Sequence, residues 1–470
     1  MSNTLAGRMA SYAQALSYAD LSPAAIHEVK RRIIDSLGCA MGAWNSEPGQ
    51  IARNTCAGFS ALPGSTLIGT DRRVPPDWAA FANGCLVRYL DYNDTYLSKE
   101  PAHPSDNIPP ALAAAEASGA GGSDLIVAIV IAYEVQCRLC DAASLRAIGW
   151  DHVTYGTFSS ALAAGRLMKL DAARLRHALG IAGVASAALR QTRVGELSHW
   201  KGCAFANAAR HGVFAALLAQ QGMTGPAPIF EGEKGFEKLV SGMLELAGPF
   251  ARAGVAGTPE MILRTSIKCW PVEYHAQSAV QAALQLRGQI DDVAQIESVT
   301  IESHDAAVDI IGSELEKWRP QSRETADHSL PYITAAALMD GRIDQETFAP
   351  SRYGDVGLLE FVSRVKVVRN SELSGLYPGA VGNIVHVNLR GGKTMTQRVD
   401  HARGHAANPM TDAQVEAKFH SMADPLLGNQ RAGQVVGACW NLENLGSISE
   451  LMKLLICPAS RRTSAASPRL

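Results

Sequence analysis

Ile296-Glu-Ser-Val-Thr-Ile-Glu-Ser303 alternates apolar and polar side chains with a period of two, the pattern of a strand with one buried face. The first half of the chain has a different texture and reads as one helix after another. Ser22-Pro23 offers an N-cap followed by proline at the first helical position, and Ile26, Val29, Ile33, Ile34 and Leu37 then recur at helical spacing. Ser123 is expected to cap a segment through Leu139, whose apolar stretch from Leu125 to Tyr133 is too short to cross a bilayer and reads as a buried helix. Ala-rich runs from Thr157 to Leu170, Ala172 to Leu189 and Cys203 to Gln221 contain few helix breakers, and their small side chains let helices approach closely.

Beyond residue 260 strands and helices mix. Val365-Lys-Val-Val368 alternates like 296–303, and Ile384-Val-His-Val-Asn-Leu389 is joined through Arg390-Gly-Gly-Lys393 to Thr394-Met-Thr-Gln-Arg-Val399, a candidate hairpin. Helical segments 273–287 and 325–340 lie between them, and helix resumes at Thr411 to Met422 and over 436–455. The pattern predicts a mostly α protein with an α+β second domain. The expected division is a helical domain over residues 1–260, a smaller α+β domain over 261–405, a return to the helical domain over 406–457 and a disordered tail over 458–470 with few apolar residues.

With 47% hydrophobic residues in 470, the chain can fill more than one core. Its 43 basic and 45 acidic residues leave a net charge of −2, so no global positive field exists to hold a nucleic-acid backbone. The stretch Met1 to Ala10 lacks the organisation of a signal peptide, and a cytoplasmic location with no membrane association is expected. Nine cysteines, scattered except for Cys137-Arg-Leu-Cys140, argue for reduced thiols rather than a disulfide framework. With no second C-x-x-C, no metal site is expected there, and His401-Ala-Arg-Gly-His405 lacks the H-E-x-x-H pattern of a zinc protease. No dinucleotide fingerprint or Walker A sequence occurs, and no cofactor is expected.

Five stretches that carry polar or charged side chains stand out. Asp91-Tyr-Asn-Asp94-Thr95-Tyr96 is followed by His103-Pro-Ser-Asp-Asn107, a proline-stiffened loop whose short side chains either cap the helix from Pro109 to Ser118 or converge on a ligand. Gly149-Trp-Asp-His152-Val-Thr-Tyr-Gly-Thr157 leads into an Ala-rich helix, where free N–H groups and the helix dipole favour an anion; a satisfied histidine at a helix start is the plainer alternative. Trp200-Lys201-Gly202 opens another Ala-rich run, though a lysine there is commonly solvated. Ser266-Ile-Lys268-Cys-Trp-Pro-Val-Glu-Tyr-His275 places an ammonium in an apolar segment, which is costly unless an anion pairs with it. His328 and Tyr332 stand at i, i+4 around Pro331, so they share a helix face only if the proline permits it.

In order and spacing these clusters, together with Arg403-Gly-His405-Ala-Ala-Asn-Pro409 and Lys418-Phe, resemble the MmgE/PrpD family over about residues 5 to 455. The resemblance implies a large all-helical domain, a smaller α+β lid domain, a homodimer and a metal-independent pocket between the two domains. It implies that Asp94, Thr95, His103 and His152 do catalytic work and that Lys201, Lys268, His275 and Tyr332 bind substrate. Activities in the family include dehydration of 2-methylcitrate in propionate catabolism and the methylcitrate cycle, decarboxylation of cis-aconitate and epimerisation of iminodisuccinate. A hydro-lyase acting on 2-methylcitrate or a related tricarboxylate is the first expectation, with the histidines dividing acid and base roles and the lysines gripping carboxylates. A decarboxylase or epimerase on the same scaffold is the second, and a non-catalytic helical interaction protein the third. Tyr96 and Pro101-Ala102 stand where methylcitrate dehydratases tend to carry tryptophan and Trp-Gly, so a related but reshaped pocket is expected.

Overall fold

Ser22 caps its helix as the sequence suggests: its hydroxyl accepts from Ala25 N at 3.1 Å, and the helix runs Pro23–Gly42. The structure is a computed structural model that describes residues 4–251 and 258–458. The tail expected from 458 lies, from residue 459 on, outside the described residues. Helices Leu5–Ala15, Glu47–Cys56, Pro76–Tyr89, Ile108–Ser118, Gly122–Ala142, Val153–Leu167, Ala172–Ala185 and Trp200–Gln220 follow around one core. The short strands β1 (Ser65–Thr66) and β2 (Arg73–Val74) pair antiparallel at its edge. Leu125 to Tyr133 is buried along its whole length, and no described helix is long and apolar enough to cross a membrane.

Some boundaries move for local reasons. The 122–142 helix is capped by Gly121, and the Ser123 hydroxyl instead donates to Glu443 O at 3.2 Å, tying the helix to the chain's return. The segment expected over 436–455 divides into Asn429–Trp440 and Ile448–Leu454, where Ser447 starts a second helix with its own capping box.

The Val153–Leu167 and Trp200–Gln220 helices run side by side in the same direction. A Cβ on Gly212 would stand 2.6 Å from Thr157 O and 2.8 Å from Ala161 N, so only glycine permits this approach. The parallel arrangement brings both N-termini, with His152 and Lys201, to the same end of the body.

The second core extends from Val272 to Val399. Its sheet comprises β3 (Ile296–Ser303), β4 (Val365–Arg369), β5 (Asn383–Leu389) and β6 (Thr394–Val399), in the order β4-β3-β5-β6. β3 pairs with β4 in parallel and with β5 antiparallel, and β5 and β6 form the expected hairpin, Asn388 opposite Thr394. Val299, Ile301 and Ser303 of β3 are buried, as the alternation requires. Helices Gln277–Arg287 and Leu330–Asp340 contribute to the same core. The helical core resumes at Met410, with helix Asp412–Leu427 braced against Pro23–Gly42 by Lys418, whose ammonium lies 2.6 Å from Asp35 Oδ1.

Candidate active site

The crossing segment between the two cores positions the first cation. Thr95 and Ser266 exchange backbone hydrogen bonds of 2.8 and 2.9 Å, and the Lys418 ammonium donates to Tyr92 O and Lys268 O. So held, Lys268 points its fully buried ammonium at Asp91, donating to the backbone oxygen at 2.8 Å and standing 2.9 Å from Oδ2. Burial lowers the Lys268 pKa, and the Asp91 charge opposes that fall. The anion that this lysine requires is supplied by the chain itself.

Asp91 is the hub. Its φ of 52° lies in the left-handed region, which aspartate tolerates better than most residues. Its carboxylate meets Arg88 directly and lies 3.7 Å from the Lys201 ammonium. Burial alone would raise its pKa, but Arg88, Lys201 and Lys268 hold it well below the usual carboxylate range. Lys201 is equally far from Asp327 Oδ1, 3.7 Å, and burial brings its pKa down to about 8 against the pull of Asp327 and Asp91. Asp327 also holds His328, Oδ1 to Nδ1 at 2.5 Å.

The histidines differ in how they are held. His103 Nδ1 donates to Asp94 O at 2.7 Å, which leaves Nε2 to accept from Arg88 Nη2 at 2.9 Å. Burial and the adjacent Arg88 and Lys268 charges depress its pKa strongly, so it is neutral. His152 lies with its ring centroid 6.0 Å from that of His103. Its Nδ1 is 3.0 Å from Asp151 Oδ1 but out of line for a hydrogen bond, and neither ring nitrogen has a hydrogen-bond partner among the described residues. Burial pushes its pKa down to about 4 despite Asp151. His275 is clasped by Glu273 through Nδ1 at 2.8 Å, with Nε2 unpartnered.

These groups line a cavity of about 250 Å³ between the helical body and the α+β domain: Thr95, His103, His152, Lys201, Lys268 and His275 all reach it. Two residues expected there do not. The Asp94 carboxylate turns inward, accepting from Ser105 N at 2.9 Å and Tyr133 Oη at 2.7 Å; only its backbone oxygen serves the site, by orienting His103. Tyr332 is buried in the α+β core with its hydroxyl donating to Thr347 O at 2.6 Å. Pro331 sits in the first turn of the Leu330–Asp340 helix, so His328 remains in the preceding turn and faces the cavity while Tyr332 does not. The sequence points to Asp91 only as the first residue of its polar cluster, without a role, and not to Arg88 at all. The available signal is an arginine following Leu86-Val87 in a helix as apolar as the Lys268 segment.

Among the described residues no three His, Cys, Asp or Glu side chains are grouped as a metal site would need. His401 and His405 instead lie with ring centroids 4.5 Å apart and planes tilted by 40°, on either side of Gly404, whose φ of 94° lets it lie against Ile267 O. Cys137 and Cys140 are buried, unpaired thiols.

A helical body and an α+β domain meeting over a small cleft rich in cations and neutral imidazoles define a two-domain protein whose cleft suits a small organic anion by charge and size. The chain belongs to the MmgE/PrpD family: the MmgE/PrpD N-terminal domain matches residues 7–247 and the MmgE/PrpD C-terminal domain residues 270–442. It is 28% identical to the cis-aconitate decarboxylase of Homo sapiens over 472 residues, which span 96% of this chain and 95% of that one. The 2-methylcitrate dehydratase of Cupriavidus necator is 29% identical over 404 residues, 79% of this chain and 80% of its own. That of Salmonella typhimurium is 26% identical over 401 residues, 80% of each chain.

Proposed function

We propose that this protein is a lyase that removes water from 2-methylcitrate, or a closely related tricarboxylate, to give the 2-methyl-cis-aconitate type of product. The observation that carries this reading is His152: a neutral imidazole whose Nε2 has no partner among the described residues, in a cleft whose lining also holds Arg88, Lys201 and Lys268. Such a ring can take the proton α to a carboxylate while Lys268, Arg88 and the helix N-terminus beside it stabilise the charge that develops. The electrons of the broken C–H bond form the double bond, and the hydroxyl departs as water with a proton from Lys201. An ammonium with a pKa of about 8 is suited to that donation. His103, engaged at both nitrogens, holds the Arg88 guanidinium in place rather than sharing the proton transfers. The same reading includes a homodimer, for which the exposed side chains of Val184, Leu189 and Phe214 supply apolar surface.

A second reading, decarboxylation of a cis-aconitate-like acid, is favoured by the end-to-end match to a cis-aconitate decarboxylase where the dehydratases match about four fifths of the chain. Both reactions use the same cations and differ in the group that leaves. Incubating the purified chain with 2-methylcitrate, citrate, cis-aconitate and iminodisuccinate separates them. Loss of water from 2-methylcitrate is the expected result, carbon dioxide from cis-aconitate would establish the second reading instead, and no change in any of the four would remove both.

A further inference from the structure

Segment 186–199 links helices Ala172–Ala185 and Trp200–Gln220, and its middle, Arg190–Arg193, is a single helical turn over the mouth of the cleft. The turn is pinned to the start of the His152 helix. Asp151 N donates to Ala188 O at 2.8 Å, Arg190 N to Gly149 O at 3.0 Å and Ala188 N to Thr154 Oγ1 at 3.0 Å. Its two arginines, three residues apart, have different surroundings.

Arg193 is neutralised. Its Nε lies 3.0 Å from Asp151 Oδ2 and its Nη1 donates to Lys201 O at 3.3 Å, so it holds together the two helix starts that carry His152 and Lys201. Arg190 lines the same cavity, yet its guanidinium makes no hydrogen bond and no ion pair among the described residues. No carboxylate among the described residues lies within ion-pair distance of it: Asp151 serves Arg193, Glu100 accepts from Ser144 Oγ and Arg146 N through Oε2 alone, with Oε1 unpartnered, Asp309 faces Arg369, and Glu314 lies 3.4 Å from Lys317. Partial burial lowers the Arg190 pKa, and the Asp151 and Glu100 charges, beyond ion-pair distance, only partly oppose that fall. A planar guanidinium in a cleft wall with no carboxylate of its own matches a carboxylate of the ligand, which it can bind through two parallel N–H groups.

We propose that Arg190 binds the substrate carboxylate most remote from the reacting carbon, so that this chain selects tricarboxylates over dicarboxylates. The inference rests on the polycarboxylate reading above and adds a residue and a selectivity to it. Lys268 and Arg88, deeper in the cleft and tied to Asp91, serve the carboxylates flanking the reacting bond; Arg190 serves the third.

Binding measured by calorimetry, apart from turnover, tests this. The probes are propane-1,2,3-tricarboxylate and glutarate, against the full-length protein and its Arg190→Gln and Arg190→Lys variants, each shown by circular dichroism to be folded. Arg190→Gln is expected to weaken the tricarboxylate roughly ten- to a hundredfold, the scale of a charge-assisted hydrogen-bonded pair, with glutarate changed less than about twofold and Arg190→Lys intermediate. Unchanged tricarboxylate binding in Arg190→Gln, or equal weakening of both probes, overturns the assignment and leaves the polycarboxylate reading standing. A wild-type protein that binds neither probe overturns both.

Discussion

His152 brings a neutral imidazole to the cleft because burial costs its protonated form more than Asp151 returns. Its replacement by glutamine, close in size and unable to take a proton, should lower kcat by roughly two to four orders of magnitude with the far-ultraviolet circular dichroism unchanged. The same shift has a stability consequence. With a folded-state pKa of about 4 against 6.5, the unfolded chain binds more protons between those values, so stability is complete above 6.5 and declines as the pH falls towards 4. The contribution reaches up to about 3 kcal/mol, and urea unfolding of His152→Gln across that window should show a correspondingly flatter dependence on pH. Lys201 sets the opposite limb. Its ammonium must be charged to act, so kcat/KM should fall above a pH of about 8; in Lys201→Arg, less active but always protonated, that alkaline limb should disappear.

The two helices that begin beside His152 and Lys201 function as a pair because their backbones touch at Gly212. Gly212→Val should push them apart, lowering stability by about 1–3 kcal/mol in urea denaturation and reducing turnover more than ligand binding. Gly375, in the exposed Ser371–Leu376 helix with nothing within 4 Å of its would-be Cβ, is the matched control and should accept alanine without loss. These elements were readable in advance to different degrees. β3 and β5 follow the period-two pattern closely, since one face of each must be buried. Helix starts were less evenly legible: Gly121 displaced Ser123 as a cap, whereas His152 does stand at the start of its helix, as its cluster suggests. Capping depends on what else a side chain can reach, and Ser123 reaches Glu443 O.

Since the cleft has one wall on each core, a ligand that fills it stabilises the arrangement of both. Propane-1,2,3-tricarboxylate at about a hundred times its dissociation constant should raise the unfolding free energy by about 2.7 kcal/mol. A single calorimetric transition should move as a unit; a shift confined to one of two separate transitions would place the ligand on one core alone. The crossing segment is the mechanical reason for this expectation. Lys268 belongs to the connection between the cores, is anchored to Asp91 and Tyr92 through itself and Lys418, and is followed seven residues later by His275.

Periodicity, capping chemistry and composition were sufficient for the helical body and the mixed α+β domain, because those depend on neighbours a few positions away; the pocket residues were pointed to by the resemblance of their spaced clusters to the family. The partners of each charge were not legible. That Lys268 pairs with Asp91, that Asp94 turns its carboxylate inward, that Tyr332 belongs to a core and that Arg190 lines the cleft are all set by contacts between residues far apart in the chain. Such contacts exist only once the helices have packed, for burial and Coulomb interaction depend on distance in space and not on separation along the sequence.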